Sequence, residues 1–510
     1  MPATGDAVNV KVALRCRPLS KKELSEGDRS IFTKDGNVAR LQDPDGRQNG
    51  GQPIEFGFDH VYAADSTQLQ VYEDVGKPVV DAAFAGFNTT VFAYGQTGSG
   101  KSWSMTGSSG EDRGLIPRIN AEIFERIEAS SEEKLYLVQC SYFEIYNEIV
   151  YDLLDPRPRK DKERSGGLQI KEHPVLGIHV QGLQQIVAND AAKVQELMDL
   201  GQKNRSVGST DMNAESSRSH SVCLVTVHQK DTENESKSCY AKLNLVDLAG
   251  SERADRTGAS GKRLKEGANI NKSLTTLGSV INALVEQARG KKGVFIQYRN
   301  SKLTRVLQES LGGNALCTML ATLSPALLNG KETLSTLRYA ARAKTIKKTV
   351  TKNEESGQID KLNEEVARLK KMLAEKAAPS GVVQDDEALS KAQSQIQDQI
   401  REMEMLTKQT WAEKQEQSKK HESEMQRLRK ATRDAAKRAE SERRKRFQLL
   451  REKGDVELSV RELNLPSSWA DQARRLDGLK ARVGDRRAHL NVLRDALLSD
   501  LGGSYDDEDP

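Results

Sequence analysis

The chain has few aromatic residues, few cysteines and no long apolar run. Of its 510 residues only 5% are Phe, Trp or Tyr, and 36% are hydrophobic against 30% charged. A wholly globular chain carries more apolar residues than this, so a long solvated region is expected beside a packed domain. The five cysteines, Cys16, Cys140, Cys223, Cys239 and Cys317, are odd in number and form no CxxC pair. That reads as a reducing compartment with no disulfide framework and no cysteine zinc site. No run approaches the length that spans a bilayer, and Met1-Pro2-Ala3-Thr4-Gly5-Asp6 has no apolar leader. A cytoplasmic location without a transmembrane segment is therefore expected. The net charge of +4 is too mild to name a partner. Length alone suggests two to four domains.

One stretch carries chemistry on its face: Gly95-Gln96-Thr97-Gly98-Ser99-Gly100-Lys101-Ser102, which fits the P-loop pattern GxxxxGK[ST]. Phosphate needs many donors close to it. The glycines let the backbone curl so that successive N–H groups point inward. Lys101 adds a cation toward the β- and γ-phosphates, and Ser102 a hydroxyl for Mg²⁺. The flanks agree. Thr89-Thr90-Val91-Phe92-Ala93-Tyr94 reads as a buried strand, and a helix opening at Lys101 would set its positive N-terminal end at the phosphates.

Read in order, residues 9–15 alternate as a strand that Pro18 stops, and 34–53 form a polar hairpin or loop. Residues 56–62 read as one strand, 67–86 as helix ending at Gly86, and 116–127 as helix. A long strand over 135–145 and a short helix over 147–154 precede a charged loop, 156–167. The polar cluster 211–220 leads into a strand, 221–227. A second strand, 240–246, runs into Asp247-Leu248-Ala249-Gly250-Ser251-Glu252. An apolar strand ending in Asp-x-x-Gly suits a carboxylate beside Mg²⁺ and a glycine N–H at the γ-phosphate. Alternating strands and helices from 9 to 345 give one α/β domain, a central sheet with helices on both faces. After about residue 355 the pattern becomes helical and polar. Ile359, Leu362, Val366, Leu369 and Leu373 form a narrow seam, and Leu389, Ile396 and Met403 recur seven apart.

Three motifs in order, Tyr94–Lys101, Ser216-Ser217-Arg218-Ser219-His220 and Leu245–Glu252, resemble the P-loop, first switch and second switch of kinesins over roughly residues 8–354. Within that superfamily, Glu172–Gly177, Gly267–Gly278 and Glu332–Ala340 resemble the third class. Two features depart from that class. The loop 287–293 is shorter and less basic, and no phosphopeptide-binding or lipid-binding module follows. The resemblance implies a P-loop NTPase motor domain over 1–344, a neck linker and neck over 345–358, and a short neck coiled coil over 359–376. A flexible linker over 377–388, a charged helical segment over 389–455, a short helical tail over 456–500 and an acidic end over 501–510 complete the layout.

The cofactors implied are ATP and Mg²⁺. Arg15, Arg17 and Pro18 resemble the adenine and ribose contact, with Arg15 offering a planar guanidinium for stacking and Pro18 a flat apolar face. The loop 95–102, Asn213, Ser216 and Ser217 complete the nucleotide set. Ser102, Ser217 and Asp247 are the metal group, and Lys101, Ser217, Arg218, Asp247, Gly250 and Glu252 the catalytic group. By resemblance, Arg218 and Glu252 pair behind the site and Glu252 helps relay a proton from the attacking water. His220 reads as a packing and hydrogen-bonding residue at the strand start. Asn271-Lys272-Ser273-Leu274 lacks the carboxylate that reads guanine, which favours ATP over GTP.

Lys262, Arg263, Lys265, Arg289, Lys291, Lys292, Tyr298, Arg299, Lys302 and Arg305 cluster around the helix that follows the second switch. Their charge suits the acidic surface of microtubules; no aromatic platform interleaves them, which argues against nucleic acid. Thr345–Asn353 resembles the neck linker, with Ile346 and Val350 as apolar anchors and Asn353 as latch. The reading is an ATP-driven microtubule motor, moving toward the plus end, with a weak homodimer through its helical tail. The competing readings are a microtubule-bound ATPase acting as a non-processive regulator or crosslinker, and a P-loop enzyme acting on nucleic acid.

Overall fold

The computed structural model describes residues 4–43, 52–130, 134–157, 159–173, 177–207, 218–231, 238–252 and 262–354, and beyond these only Glu416, Ser423, Arg427, Arg438, Ser441 and Lys445, each helical and exposed. The expected seams and the acidic end lie outside the described residues. Two compact units divide the chain, Met1–Met425 and Gln426–Pro510. All the strands among the described residues belong to the first.

Among the described residues, nine strands make the central sheet. Its order is Ile186–Ala188, Lys134–Tyr146, His220–Asp231, Cys239–Asp247, Thr89–Tyr94, Leu316–Leu323, Lys11–Cys16 and His60–Tyr62, with Ile149–Asp152 hydrogen-bonded to Lys134–Tyr146 off this path. From Cys239–Asp247 to His60–Tyr62 the strands run parallel. On the other side they pair antiparallel. Thr89–Tyr94 sits between two parallel neighbours and is buried at all six residues, as an apolar run without polar alternation requires.

Side-chain alternation divides the core in two. Val91 and Ala93 point to one face, where Leu115, Ile119 and Ile123 of the helix Leu115–Glu128 and Val194 and Leu197 of Ala191–Val207 pack. Phe92 and Tyr94 point to the other. There Leu277, Ile281 and Leu284 of the helix Lys262–Ala288, Leu303 of Lys302–Val306 and Leu337 of Gly330–Ala343 pack. The period-2 strand thus serves two period-3.6 helical faces at once.

Two local expectations are corrected. Residues 147–154 are not helical. Asn147 and Glu148 adopt φ of 53° and 61° and form the two-residue turn between Tyr146 and Ile149, which pair across the hairpin. A left-handed pair of this kind matches the twist of antiparallel strands, and Ile149, Val150 and Tyr151 are strand formers. Glu148 then caps another element: its carboxylate accepts from Ser301 Oγ and from Lys302 N, both at 2.9 Å. Residues 56–62 form two strands rather than one. Ile54–Gly57 closes a three-stranded side sheet with Phe32–Asp35 and Val38–Leu41, while His60–Tyr62 joins the central sheet. Asp59, between them, takes the Val12 N–H at 2.8 Å.

The segment after the helix Gly330–Ala343 enters a separate two-stranded sheet. Lys347–Thr349 pairs antiparallel with Ala7–Asn9. Ile346 is buried in the main core, and Val350 is buried against Ala82 and Phe87.

Candidate functional site: a nucleotide cradle at the C-terminal end of the central strand

The chain leaves the strand Thr89–Tyr94 into the P-loop and enters the helix Lys101–Met105. Gly100, with φ of 102°, and Gly98, with φ of 74°, make the curl that a side chain would strain. An added Cβ at either would meet nothing within 4 Å, so the bowl is open above them. Gly95 differs, because a Cβ there would meet Thr322 Oγ1 at 2.6 Å and Ser99 Oγ at 2.7 Å. Ser99 Oγ is hydrogen-bonded to Thr322 Oγ1 and to Gln96 O, which ties the loop to the neighbouring strand.

Lys101 is 7% exposed and donates to Gly95 O and Gln96 O, both at 2.9 Å. Burial pulls its pKa down, and Asp247 and Glu252 oppose that. Ser102 Oγ donates to Asp247 Oδ2 at 2.6 Å, while Asp247 Oδ1 is buried without a hydrogen-bond partner. A buried carboxylate oxygen beside a hydroxyl is a costly arrangement unless something cationic or hydrated completes it. Hydroxyl and carboxylate oxygens are also the ligand type Mg²⁺ prefers. The residues therefore fit Mg²⁺ with a nucleotide phosphate in the open bowl.

Glu252 reaches over the loop. Its Oε2 accepts the Thr97 N–H at 2.8 Å, and Oε1 accepts from Thr97 Oγ1. Gly250 lies beneath, where a Cβ would press on Thr97 Oγ1 and both Glu252 oxygens. His220, 2% exposed, accepts the Ala249 N–H on Nδ1 at 3.0 Å, so its proton sits on Nε2, 2.7 Å from Ser273 Oγ. Burial pushes its pKa down to about 3, and Arg205 and Lys101 add to that. Arg218 is half-buried. Asn213, Ser216 and Ser217 lie outside the described residues.

Arg17 donates from Nε to Gly98 O at 2.6 Å and forks onto Glu23, both nitrogens at 2.7 Å. That hydrogen-bonded fork, more than burial opposes it, holds the Glu23 carboxyl down at about 2. Arg15 is the other arginine expected at the nucleotide. Its guanidinium is turned inward, to Gln68 Oε1 at 2.7 Å, Ser104 Oγ at 3.2 Å and Ser66 O at 3.3 Å, and burial lowers its pKa. These bonds brace the P-loop helix. Trp103, on that helix, is 44% exposed, and its carbonyl takes the Gln68 side chain.

The basic group divides. Lys262, Arg263 and Lys265 lie on the helix Lys262–Ala288. Arg289, Lys291 and Lys292 are exposed at its end, with Lys291 bonded to Glu286 at 2.7 Å. Phe295, close behind, is 82% exposed. Lys302 is half-buried, as is Tyr298. Arg299 and Arg305 both bond to Glu172, at 3.3 and 2.6 Å. Arg305 has 14% of its side chain exposed and is ion-paired with Glu172, on the strand Gln169–His173.

The kinesin motor domain model matches residues 15–346. The chain is 46% identical over 387 residues to the human kinesin-like protein KIF1B, an alignment covering 72% of this chain and 21% of that protein. It is 44% identical over 382 residues to human KIF1C, covering 72% and 34%. With klp-20 of Caenorhabditis elegans the identity is 44% over 384 residues, covering 72% and 56%. The chain thus spans less than two thirds of the length of these relatives. Among solved structures, a fast kinesin superposes with a TM-score of 0.61 at 42% identity, covering 68% of this chain and 94% of that one. A microtubule-bound KIF14 dimer in its AMP-PNP state gives 0.63 at 43%, covering 69% and 97%. The chain belongs to the kinesin motor family and is most like its third class.

Proposed function

We propose that the chain is an ATP-driven microtubule motor whose stroke runs toward the plus end. One relationship supports the reading above the others. The strand Thr89–Tyr94 carries the P-loop at its C-terminal end, and Asn88, just before its first residue, accepts the Asn353 side chain at 2.8 Å. A single buried strand thus joins the nucleotide cradle to the segment after the last helix, which is the linkage a nucleotide-driven lever needs.

In this reading Lys101 and the loop amides hold the β- and γ-phosphates. Ser102 and Asp247, with Ser217, hold Mg²⁺, which when bound neutralises phosphate charge. Gly250 offers its N–H to the γ-phosphate. Glu252 leaves Thr97, pairs with Arg218 and takes a proton from the attacking water. His220 joins Ala249 to Ser273, so a shift at the phosphate reaches the helix Lys262–Ala288 and its exposed basic end. Arg289, Lys291 and Lys292 meet the acidic track there, Ile346, Val350 and Asn353 dock the neck segment, and the tail beyond 359 pairs two copies weakly.

Gliding of polarity-marked microtubules is the test. Movement with the minus end leading supports the plus-end motor. Microtubule-stimulated ATPase without gliding would replace it with a non-processive regulator or crosslinker, and stimulation by nucleic acid instead of microtubules would overturn both.

A further inference from the structure

The short charged helix Arg159–Arg164 lies in a loop to which the proposed cycle gives no role. One of its residues reaches the protein's interior. Arg159 Nη1 stands 3.0 Å from Glu144 Oε1, and its guanidinium lies over the rings of Tyr146 and Tyr151 at 4.9 and 4.7 Å. Glu144, on the long strand Lys134–Tyr146, is 1% exposed. Its other oxygen lies 3.9 Å from Arg205 Nε. Arg205, 3% exposed near the end of the helix Ala191–Val207, turns all three nitrogens onto the next strand. It donates to Ser219 Oγ and Ser219 O at 3.0 Å and to Ser221 Oγ at 3.2 Å. Between those serines sits His220, which holds Ala249.

We propose that Arg159 is a positioning residue for nucleotide turnover, holding Glu144 against Arg205 so that the strand start at Ser219–Ser221 keeps the two switch segments in register. The physical case is one of charge and geometry. Glu144 is a buried carboxylate facing two guanidiniums. Burial drives it toward the neutral acid, and Arg159, then Arg205, oppose that. Removing one partner of a buried charge leaves the rest to rearrange. With Arg159 gone, Glu144 draws Arg205 fully to itself and away from the serines. The rest of the helix is anchored independently, because Lys162 donates to Asp152 O and Asp155 O at 2.8 Å. A substitution at Arg159 therefore removes the clamp without releasing the loop.

This inference rests on the nucleotide-site part of the proposed function. Its test is release of mant-ADP from the full chain without microtubules, followed by stopped-flow fluorescence, with thermal melting alongside. Arg159→Gln should speed release at least fivefold. Arg159→Lys should fall between that variant and the parent, since it restores the charge and loses the planar stack. Adding Glu144→Gln to Arg159→Gln should bring release back within twofold of the parent, because the stranded anion is gone. Parental release in Arg159→Gln overturns the proposal. So does faster release that tracks a lowered melting temperature and is not rescued by Glu144→Gln, which would make Arg159 merely structural. Failure of the motor reading is separate: it would show as a parent protein that binds mant-ADP yet ignores microtubules, and the release ratios would still decide the role of Arg159.

Discussion

His220 Nδ1 accepts the Ala249 N–H at 3.0 Å inside a fully buried pocket. The bond requires a neutral ring, because a protonated Nδ1 has no lone pair to offer. The pKa is pushed down to about 3 from an ordinary 6.5. Between those values the unfolded chain binds more protons than the folded one. Stability from this group is complete above about pH 6.5 and falls as pH drops toward 3, by up to about 1.4 kcal/mol per pH unit. His220→Gln should lose part of that slope while being less stable at pH 7.5. Urea unfolding at pH 7.5, 6 and 5 checks it, and parallel slopes in parent and variant would refute it.

Gly250 is constrained from above. A Cβ there would collide with Thr97 Oγ1 and both oxygens of Glu252. Gly250→Ala should therefore displace Glu252 and slow hydrolysis about 10²-fold, ~2.7 kcal/mol in the barrier. ATP affinity should change only a few-fold, since Lys101 and the loop amides are untouched. Single-turnover hydrolysis beside equilibrium binding separates the two.

Lys101→Ala should weaken ATP binding by about 10²-fold or more, because a charge-assisted contact to phosphate is worth about 2–3 kcal/mol. The fold should survive. The cation is buried and its present partners are two carbonyl oxygens, Gly95 O and Gln96 O. Titration with a fluorescent ATP analogue is the measurement, and unchanged affinity would remove Lys101 from the site.

Much of this site was legible in the chain because its parts are local. The P-loop's glycines, its buried strand and the Asp247–Glu252 turn each announce themselves within a dozen residues, and backbone geometry then fixes where they meet. The burial of Ile346 and Val350 was legible for the same reason, as they are apolar residues in a polar run. What stayed hidden depends on residues far apart. Arg15 finds Ser104, 89 positions away, and Arg305 finds Glu172, 133 away, and neither partner can be read from the motif that carries the cation. Asn147 and Glu148 were misread because a left-handed two-residue turn leaves the same polar signature as a helix start.

Lys291 and Lys292 are exposed, and Lys291 is already paired with Glu286. Exposed pairs contribute little to stability, so Lys291→Ala with Lys292→Ala should leave folding and basal ATPase intact. Microtubule association should slow several-fold at low salt, and its salt dependence should flatten, since such charges steer encounter over roughly 8 Å at physiological ionic strength. Collapse of basal turnover would place these residues in support of the active site.

On the proposed reading, the neck segment 345–353 offers three substitutions with different expected outcomes. Asn353 donates from its side chain to Asn88 Oδ1 at 2.8 Å and to Tyr240 O at 3.1 Å. Losing both should cost about 2 kcal/mol of docking, at roughly 1 kcal/mol each. Val350 is buried against Ala82 and Phe87, and Val350→Ala should cost a similar amount, about 2 kcal/mol for two methyl groups and the void they leave. Lys348 behaves otherwise. It is 6% exposed, donates to Ser310 O, and burial lowers its pKa from 10.5. A buried cation with a neutral partner contributes little once its desolvation is counted, so Lys348→Met should leave docking unchanged or tighten it. The sign with pH follows. The undocked lysine binds its proton more tightly than the docked one, so docking in the parent strengthens as pH rises toward 10.5, and Lys348→Met should lack that dependence. A donor–acceptor dye pair on the neck segment and the motor core, read with a non-hydrolysable ATP analogue, reports all three. Equal loss of docking in Lys348→Met and Asn353→Ala would show that the buried ammonium is an anchor and that the desolvation argument is wrong.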